Sequence, residues 1–294
     1  MPTWIAHAVP TPGACPYIVV AGADGNVWFS ESAADRIGRL DATSGRIREF
    51  ALPTGGTRTV GLAVAADGQL WFTENAANRV GRLSAQGEVR EYACPTPNAG
   101  PNGIFCDANG RLWFAESAAD QIGSISAEGD ITEYHDGISP GAHPLALAAR
   151  GAALWFTEPD GNRLGCFAGG RIREIALGPG VHPRAIIDHP DGSLWFVATG
   201  SGALMRMDEA ERIASFPLPD RHAAPRSLAV RPDGCLWITE EGTNRIALMD
   251  ARGRLLAEHA IPPPMRGLRG ILVLPDGRVF FAAHDSGHIG ELIA

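Results

Sequence analysis

Asn26–Glu31 reads NVWFSE, and the chain repeats this short segment seven times. The other copies are QLWFTE at Trp71, RLWFAE at Trp113, ALWFTE at Trp155, SLWFVA at Trp195, CLWITE at Trp237 and RVFFAA at Phe280. Their first aromatic residues are 43, 42, 42, 40, 42 and 43 residues apart. A constant period of this length is typical of a β-propeller with one four-stranded blade per repeat. We therefore predict an all-β, seven-bladed propeller in which residues 1–294 form a single domain.

The first repeat shows how one blade is built. Tyr17–Gly22 (YIVVAG) is an apolar run that suits an inner strand beside the central channel, and a D-G hairpin turn follows it. Asn26–Glu31 returns as the second strand, and Arg36–Leu40 forms the third. Gly38 in that strand is expected where neighbouring blades approach closely. Arg46–Ala51 alternates in polarity, as expected of a half-exposed outer strand.

The seventh repeat stops after its third strand, at the segment HIGELIA. The beginning of the chain resembles the outer strand of the other repeats. We therefore predict that Thr3–Val9 supplies the missing outer strand of the last blade and closes the ring, which hides edges that would otherwise be unpaired.

Composition narrows the function classes. All 25 basic residues are arginine, which excludes a lysine Schiff base or a Walker-type phosphate loop. The formal net charge of −8 argues against nucleic acid or an anionic membrane as a partner. Five scattered cysteines without a C-x-x-C pair favour free thiols. No signal peptide or long apolar span is evident, so we expect a cytoplasmic protein. We also expect a monomer whose partner is a small-molecule ligand.

The start of each inner strand should face the channel mouth, where loops of a ring commonly hold a ligand. Eleven residues before the repeated aromatic residue, three consecutive blades place Arg184, Arg226 and Arg269. The remaining blades have Tyr17, Val60 and Asn102, and the shorter fourth blade has Leu145. Three adjacent guanidinium groups favour an anionic substrate, with Tyr17 and Asn102 as further substrate-binding candidates. The alternative is that each arginine pairs with a nearby glutamate.

Glutamate follows the repeated aromatic residue by three positions in five blades. The members are Glu31, Glu74, Glu116, Glu158 and Glu240, while Ala198 and Ala283 take this position in the other two blades. A residue repeated by symmetry is more often structural than functional, and we favour that interpretation. As a weaker hypothesis, Glu116, Glu158 and Glu240 are candidate metal ligands at the channel mouth.

Three histidines are candidates for an acid, a base or a metal ligand. His143 and His182 lie in matching G-x-H-P segments of adjacent blades, and His284 follows the second strand of the last blade. A structural or surface role is the alternative for each. A G-x-S-x-G elbow is missing from the sequence, so a triad hydrolase is not indicated.

The LWFTE repeats, together with Asn78–Arg82 (NRVGR) and the proline-led inner strands, resemble the streptogramin B lyase family, also called virginiamycin B lyases. The resemblance covers essentially the whole chain. It implies a seven-bladed propeller that opens a cyclic depsipeptide antibiotic by elimination at the ester. It also implies that a histidine removes a proton α to a carbonyl and that Mg²⁺, held by glutamates, stabilises the resulting charge.

This chain departs from the family pattern at the residues that carry the chemistry. The position of the family's base is Arg269, and that of the sixth-blade histidine is Arg226. Gly267 and His284 replace the two glutamates that would hold Mg²⁺, while Tyr17 matches the family's first-blade tyrosine. Arginine does not serve as a base, and glycine has no side chain that could bind a metal.

Four functions therefore stay open from the sequence. The first is a divergent lyase-like enzyme that cleaves a carbon–oxygen bond in an anionic cyclic ester or related molecule. The others are a metal-dependent lactonase-type hydrolase, a non-catalytic binding propeller for a small molecule or protein, and a weak antibiotic lyase conferring resistance.

Overall fold

The computed structural model describes residues 2–293, so the first and last residues of the predicted 1–294 domain lie outside the described residues. It contains seven four-stranded antiparallel sheets and two 3₁₀ turns, at Ser117–Ala119 and His284–Ser286. The predicted all-β, seven-bladed propeller is confirmed. The described part of the chain has no helix that is long and apolar enough to cross a membrane.

In six blades the strands follow one another in chain order from the inner to the outer edge, and in the last blade β1 follows β26, β27 and β28 as the outer strand. The first two blades and the closing strand comprise β1 (Thr3–Ala8), β2 (Pro16–Ala21), β3 (Val27–Glu31), β4 (Arg36–Leu40), β5 (Ile47–Ala51), β6 (Thr59–Val64), β7 (Leu70–Glu74), β8 (Arg79–Leu83) and β9 (Val89–Ala93). The third and fourth comprise β10 (Pro101–Cys106), β11 (Leu112–Glu116), β12 (Gln121–Ile125), β13 (Ile131–Tyr134), β14 (Leu147–Arg150), β15 (Ala153–Glu158), β16 (Arg163–Ala168) and β17 (Arg171–Ala176).

The remaining three blades complete the ring. They comprise β18 (Pro183–Asp188), β19 (Leu194–Ala198), β20 (Ala203–Met207), β21 (Ile213–Pro217), β22 (Pro225–Val230), β23 (Leu236–Glu240), β24 (Arg245–Met249), β25 (Leu255–Ala260), β26 (Leu268–Val273), β27 (Val279–Ala283) and β28 (His288–Ile293). Each inner strand contacts the inner strands of the two neighbouring blades, and β2 contacts β26. The inner strands therefore surround a central channel.

The last blade is closed as predicted. β1 pairs with β28 in an antiparallel register from Thr3↔Ile293 to Ala8↔His288, and the sheet order is β1-β28-β27-β26. The indole of Trp4 packs edge-on against Phe281, with ring centroids 6.1 Å apart. The first and last strands of the chain thus belong to one sheet.

The repeated segment W-F-[ST]-E has a separate structural task for each residue. In the first blade, the Trp28 ring stacks on Phe50 of the outer strand, and the Phe29 ring lies over Gly38 of the third strand. A Cβ on Gly38 would be 2.0 Å from the Phe29 ring, so this glycine makes room for its own blade and not, as we expected, for a neighbouring one. The Ser30 hydroxyl donates to the Val60 carbonyl of the second blade at 2.8 Å and ties the two blades together.

Candidate functional site at the channel mouth

Six inner strands, and in the fourth blade the segment just before β14, place seven side chains around one end of the channel. In six of the blades the pairing of the inner strand with the second strand is irregular at its first residues, as between Pro16 and Val19 or between Pro183 and Ile186. A β-bulge reorients the side chains beside it. The residues at these irregularities are those that the sequence places eleven before the repeated aromatic residue.

These residues line a cavity of about 90 Å³, part of which is open to solvent. Its wall consists of the seven predicted positions, Tyr17, Val60, Asn102, Leu145, Arg184, Arg226 and Arg269, and the residue that follows each. The seven-fold repeat therefore located the cavity wall from sequence alone. A larger groove of about 520 Å³ lies between the D-G turns of the first two blades, where Arg39 pairs with Asp24.

Two of the three arginines share one carboxylate, that of Glu241. Glu241 lies 2.5 Å from Arg269 Nη1 and 3.3 Å from Arg226 Nε, measured from its two carboxylate oxygens. Arg184 makes no ion pair with any residue between positions 2 and 293, and its buried Nε has no hydrogen-bond acceptor. The buried Nε of Arg269 also has none. The alternative that each arginine pairs with a nearby glutamate describes Arg226 and Arg269, which both contact Glu241, but not Arg184.

This arrangement leaves the cavity positively charged. Three guanidinium charges face one carboxylate, so two positive charges are not compensated within the cluster. Burial, and then the neighbouring charge of Arg226, lowers the pKa of Arg184. Like charges held together in a partly buried wall are unfavourable unless an anion joins them, and guanidinium groups bind carboxylates or phosphates through paired hydrogen bonds.

His284 lies at the edge of this cavity. Its ring packs edge-on against Tyr17, with centroids 5.9 Å apart, and its Nδ1 is 2.8 Å from Asp285 Oδ1. A carboxylate on one ring nitrogen fixes the orientation of an imidazole and leaves the other nitrogen available to accept a proton. Of the three predicted histidines, His284 is the one that contacts a cavity residue.

His143 and His182 lie farther out and do not line the cavity. Both are exposed, with left-handed backbone angles φ of 51° and 45°. These two histidines lie two residues before the cavity-lining residue of their blades. The backbone at this position has a left-handed φ in every blade, at Cys15, Arg58, Gly100, His143, His182, Ala224 and Gly267. In six blades its carbonyl accepts a hydrogen bond from the residue that follows the repeated glutamate or alanine. The position therefore serves the geometry of the turn, whatever side chain it carries.

The repeated glutamates lie inside the blades and not in the cavity wall. Burial, and then the charge of a glutamate on the outer strand, raises the pKa of Glu31, Glu74 and Glu158 to about 8. Burial likewise raises the pKa of Glu116 to about 7 and that of Glu240 above its usual value. The outer-strand partner accepts hydrogen bonds itself, as Glu49 does from Thr11. A proton on the inner carboxyl would satisfy oxygens that otherwise have no partner.

The two blades without this glutamate also lack its neighbours. The third strand supplies Arg36, Arg79, Gln121, Arg163 and Arg245 beside the five glutamates. In the fifth blade the corresponding cross-strand pair is Ala198 with Ala203, and in the seventh it is Ala283 with His288. The repeated glutamate and its polar neighbour on the third strand are present together in five blades and missing together in the fifth, which favours the structural interpretation of the glutamates over a metal-binding one.

Two residues of the site were not foreseen from the sequence. Glu241 and Asp285 each follow the repeated glutamate or alanine by one or two positions, in loops where the seven copies differ. A comparison of these loops would have shown that Glu241 is the acidic residue directly after a repeated glutamate. Its partners could not be inferred, because the direction of a loop side chain depends on the neighbouring blade.

Comparisons with known proteins agree with the sequence resemblance. The model of the virginiamycin B lyase family matches residues 3–179 and 140–292. The chain belongs to this family. A solved streptogramin B lyase is 34% identical, with a TM-score of 0.91 over 99% of this chain and 97% of the other. A catalytically inactive virginiamycin B lyase from Staphylococcus aureus, solved with quinupristin, is 31% identical, with a TM-score of 0.93 over 100% of both chains.

More distant matches show the fold alone. Hydrazine synthase from Kuenenia stuttgartiensis is 17% identical, with a TM-score of 0.81 over 97% of each chain. A search of curated proteins found no match to this chain. The family membership therefore rests on the family model and on the solved lyases.

The Mg²⁺ that the virginiamycin B lyase family implies does not fit the matching positions of this chain. A Cβ on Gly267 would lie 2.3 Å from the Asp285 carboxylate carbon, and the residue has a φ of +73°, so a glutamate there would be strained. His284 offers nitrogen where Mg²⁺ prefers oxygen, and Arg269 adds a positive charge to the cavity wall that Tyr17, the ring partner of His284, also lines. No group of three metal-ligating side chains occurs in residues 2–293. Glu116, Glu158 and Glu240 stay untested as metal ligands.

Proposed function

We propose that this member of the virginiamycin B lyase family is a lyase-like enzyme that cleaves a carbon–oxygen bond in a small anionic ester. The uncompensated arginine cluster at the channel mouth carries this proposal. We take the reaction type from the family to which this chain belongs. We take a different substrate class from the arginines, because guanidinium groups replace the residues that the family pattern expects.

The proposed reaction is an elimination. The imidazole of His284, oriented by Asp285, removes the proton from the carbon α to the substrate's carboxylate. The electrons of that C–H bond form a carbon–carbon double bond, and the C–O bond at the β carbon breaks to release a second carboxylate. Arg184, Arg226 and Arg269 hold the substrate's acidic group and stabilise the negative charge that develops on it.

A non-catalytic anion-binding propeller is the second candidate. One observation favours it: the wall of the cavity contains tyrosine, arginine, asparagine and apolar residues, whereas His284 reaches it only through Tyr17. In this alternative the cluster binds an acid and returns it unchanged.

Proton exchange separates the two candidates. The protein is incubated in D₂O with short peptides that end in O-acyl-serine, so that the free carboxylate is on the α carbon of the acylated residue, in the presence of EDTA. A lyase gives an unsaturated product or incorporates deuterium at the α carbon, and His284→Gln abolishes both. Binding by calorimetry without exchange or product supports the binding propeller and contradicts the enzyme. His182→Gln is the matched control, because that histidine lies outside the cavity.

A further inference from the structure

The cavity wall has two chemically different halves. The fifth, sixth and seventh blades contribute the three arginines, while the second and fourth contribute Val60 and Leu145 on the opposite side. Asn102 is the polar side chain between these two apolar residues, and Tyr17 lies where the halves meet beside Arg269. Seven equivalent positions have thus been divided into a charged arc and a mostly apolar arc.

We propose that the ligand of this cavity is a small acid with an apolar tail, whose acidic head binds the arginine arc and whose tail lies against Val60 and Leu145. This inference rests on the proposed function, since it concerns the same site, and it names the class of substrate. It concerns binding alone and does not depend on whether the bound molecule reacts.

The head is assigned by unused hydrogen-bond donors. Each guanidinium carries five N–H groups. The acceptors bound by this cluster are Glu241 and the Leu268 carbonyl, and the buried Nε atoms of Arg184 and Arg269 have none. A carboxylate or phosphate head between Arg184 and its neighbours would satisfy these donors and reduce the excess of two positive charges.

The tail is assigned by the surface of the opposite half. Gly61 and Gly103 follow Val60 and Asn102 in the wall, and a Cβ on either would lie 2.2 to 2.3 Å from a carbonyl oxygen of the next blade. The blades are therefore too close there for a side chain, and Val60 and Leu145 provide the surface that a ligand meets. The volume of about 90 Å³ is smaller than that of most ligand pockets, so the cavity has room for a small ligand or for the end of a larger one that extends from its open side.

Calorimetry with a series of fatty acids tests this assignment. We expect the affinity to rise about fourfold for each methylene from acetate through butyrate to hexanoate, as apolar surface is buried. Hexanol and hexylamine, which have the same tail without an acidic head, should not bind measurably. Hexyl phosphate tests the head: tighter binding than hexanoate assigns phosphate, and weaker binding assigns carboxylate. Equal affinities throughout the fatty acid series would overturn the proposal.

Two variants assign the halves. Arg184→Gln should weaken hexanoate and acetate by a similar factor of ten or more, because it removes a contact with the head. Leu145→Asn should weaken hexanoate but not acetate, so that the dependence on chain length disappears. Leu256→Asn, an exposed leucine on the outer strand of the sixth blade, is the matched control. If Arg184→Gln leaves both affinities unchanged in a protein of normal melting temperature, the head is wrongly placed.

Failure of the proposed enzyme is distinguishable from failure of this inference. Binding that depends on the head and the tail, without product or proton exchange, supports the ligand class and contradicts the lyase. Product formation from an ester that lacks either an acidic group or an apolar tail supports the lyase and contradicts the ligand class.

Discussion

Glu241 controls the charge of the candidate site. It contacts two of the three cavity arginines and is itself partly exposed at the mouth. An internal carboxylate of this kind can neutralise an arginine cluster, compete with a ligand for it, or hold its side chains in position. One glutamate cannot neutralise three arginines. Its competition with a ligand and its effect on the position of the arginine side chains can therefore be measured.

Glu241→Gln tests this balance. We expect tighter binding of a multivalent anion such as citrate, by about tenfold, because the variant removes a competing charge and raises the uncompensated charge to three. We also expect a lower melting temperature without added anion, since the arginines then repel one another, and recovery on adding citrate. Differential scanning fluorimetry and calorimetry measure both effects.

An exposed glutamate provides the control for that experiment. Glu128→Gln removes the same charge from a turn on the opposite face and should change neither quantity. Unchanged citrate affinity in Glu241→Gln would mean that the glutamate does not compete for the arginines.

At this scale the sequence predicted the position of a side chain better than its partners. The seven copies, aligned on their aromatic residues, located Arg184, Arg226 and Arg269 in one wall because the blades are equivalent. They could not show that Glu241 joins two of these arginines. It lies in a loop whose conformation is set by contacts between blades, and such contacts have no period in the sequence.

Strand β1 closes the ring, and its side chains alternate between the sheet's two faces. Trp4 packs against Phe281 on the inward side, whereas Ile5 is 38% exposed. His7, farther along, lies 2.9 Å from the buried Glu291 of β28. The closing strand is therefore fixed by the backbone ladder, by an aromatic contact and by the contact between His7 and Glu291.

Paired substitutions in β1 test the closure. Trp4→Ala should lower the free energy of unfolding by about 2 kcal/mol, because it removes a large, partly buried ring. Ile5→Ala, one residue away on the opposite face, should cost about 0.5 kcal/mol or less. A variant that lacks residues 1–10 should lose far more, since β28 is then left as an unpaired edge. Urea unfolding measures all three, and equal effects of the two substitutions would contradict the packing.

The sequence predicted the strands well, because the alternation of apolar and polar residues and the turn residues that bound a strand can be recognised within a short stretch of sequence. Thr3–Val9 was expected as the closing strand, and Thr3–Ala8 is observed. The irregular pairing at the start of the inner strands was not expected. Neighbouring inner strands approach closely at these positions, as where a Cβ on Gly61 would meet the Asn102 carbonyl, and the pattern within one repeat carries no signal of a contact with the next blade.

The whole ring combines a symmetrical scaffold with an asymmetrical site. The family match makes streptogramin B antibiotics the first substrates to test with Mg²⁺. We expect little or no ring opening by mass spectrometry, because Arg269 stands where the family pattern implies the base, and Gly267 and His284 stand where it implies the two glutamates that hold Mg²⁺. A streptogramin B lyase that has the histidine base and the two metal-holding glutamates of the family pattern serves as the positive control. Turnover that disappears on adding EDTA would contradict this expectation.

The buried glutamates make the stability of the whole ring depend on pH. The pKa of Glu31, of Glu74 and of Glu158 is about 8 in the folded protein, against an ordinary value of 4.5. The folded state therefore holds protons that the unfolded state releases between these values. This contribution to stability is complete below about pH 4.5 and is lost as the pH rises through about 8, with a slope of up to about 1.4 kcal/mol per pH unit for each carboxyl.

Glutamine at these positions should remove the corresponding part of the slope, because an amide cannot release a proton. We expect the melting temperature of the wild-type protein to fall from pH 5 to pH 9, and that of Glu31→Gln/Glu74→Gln to fall less steeply. Glu88→Gln, which changes an exposed glutamate on a turn, should follow the wild type. Parallel curves for the wild type and the double variant would show that these carboxyls are already ionised in the folded ring, and hence that the outer-strand glutamates are not paired with protonated partners.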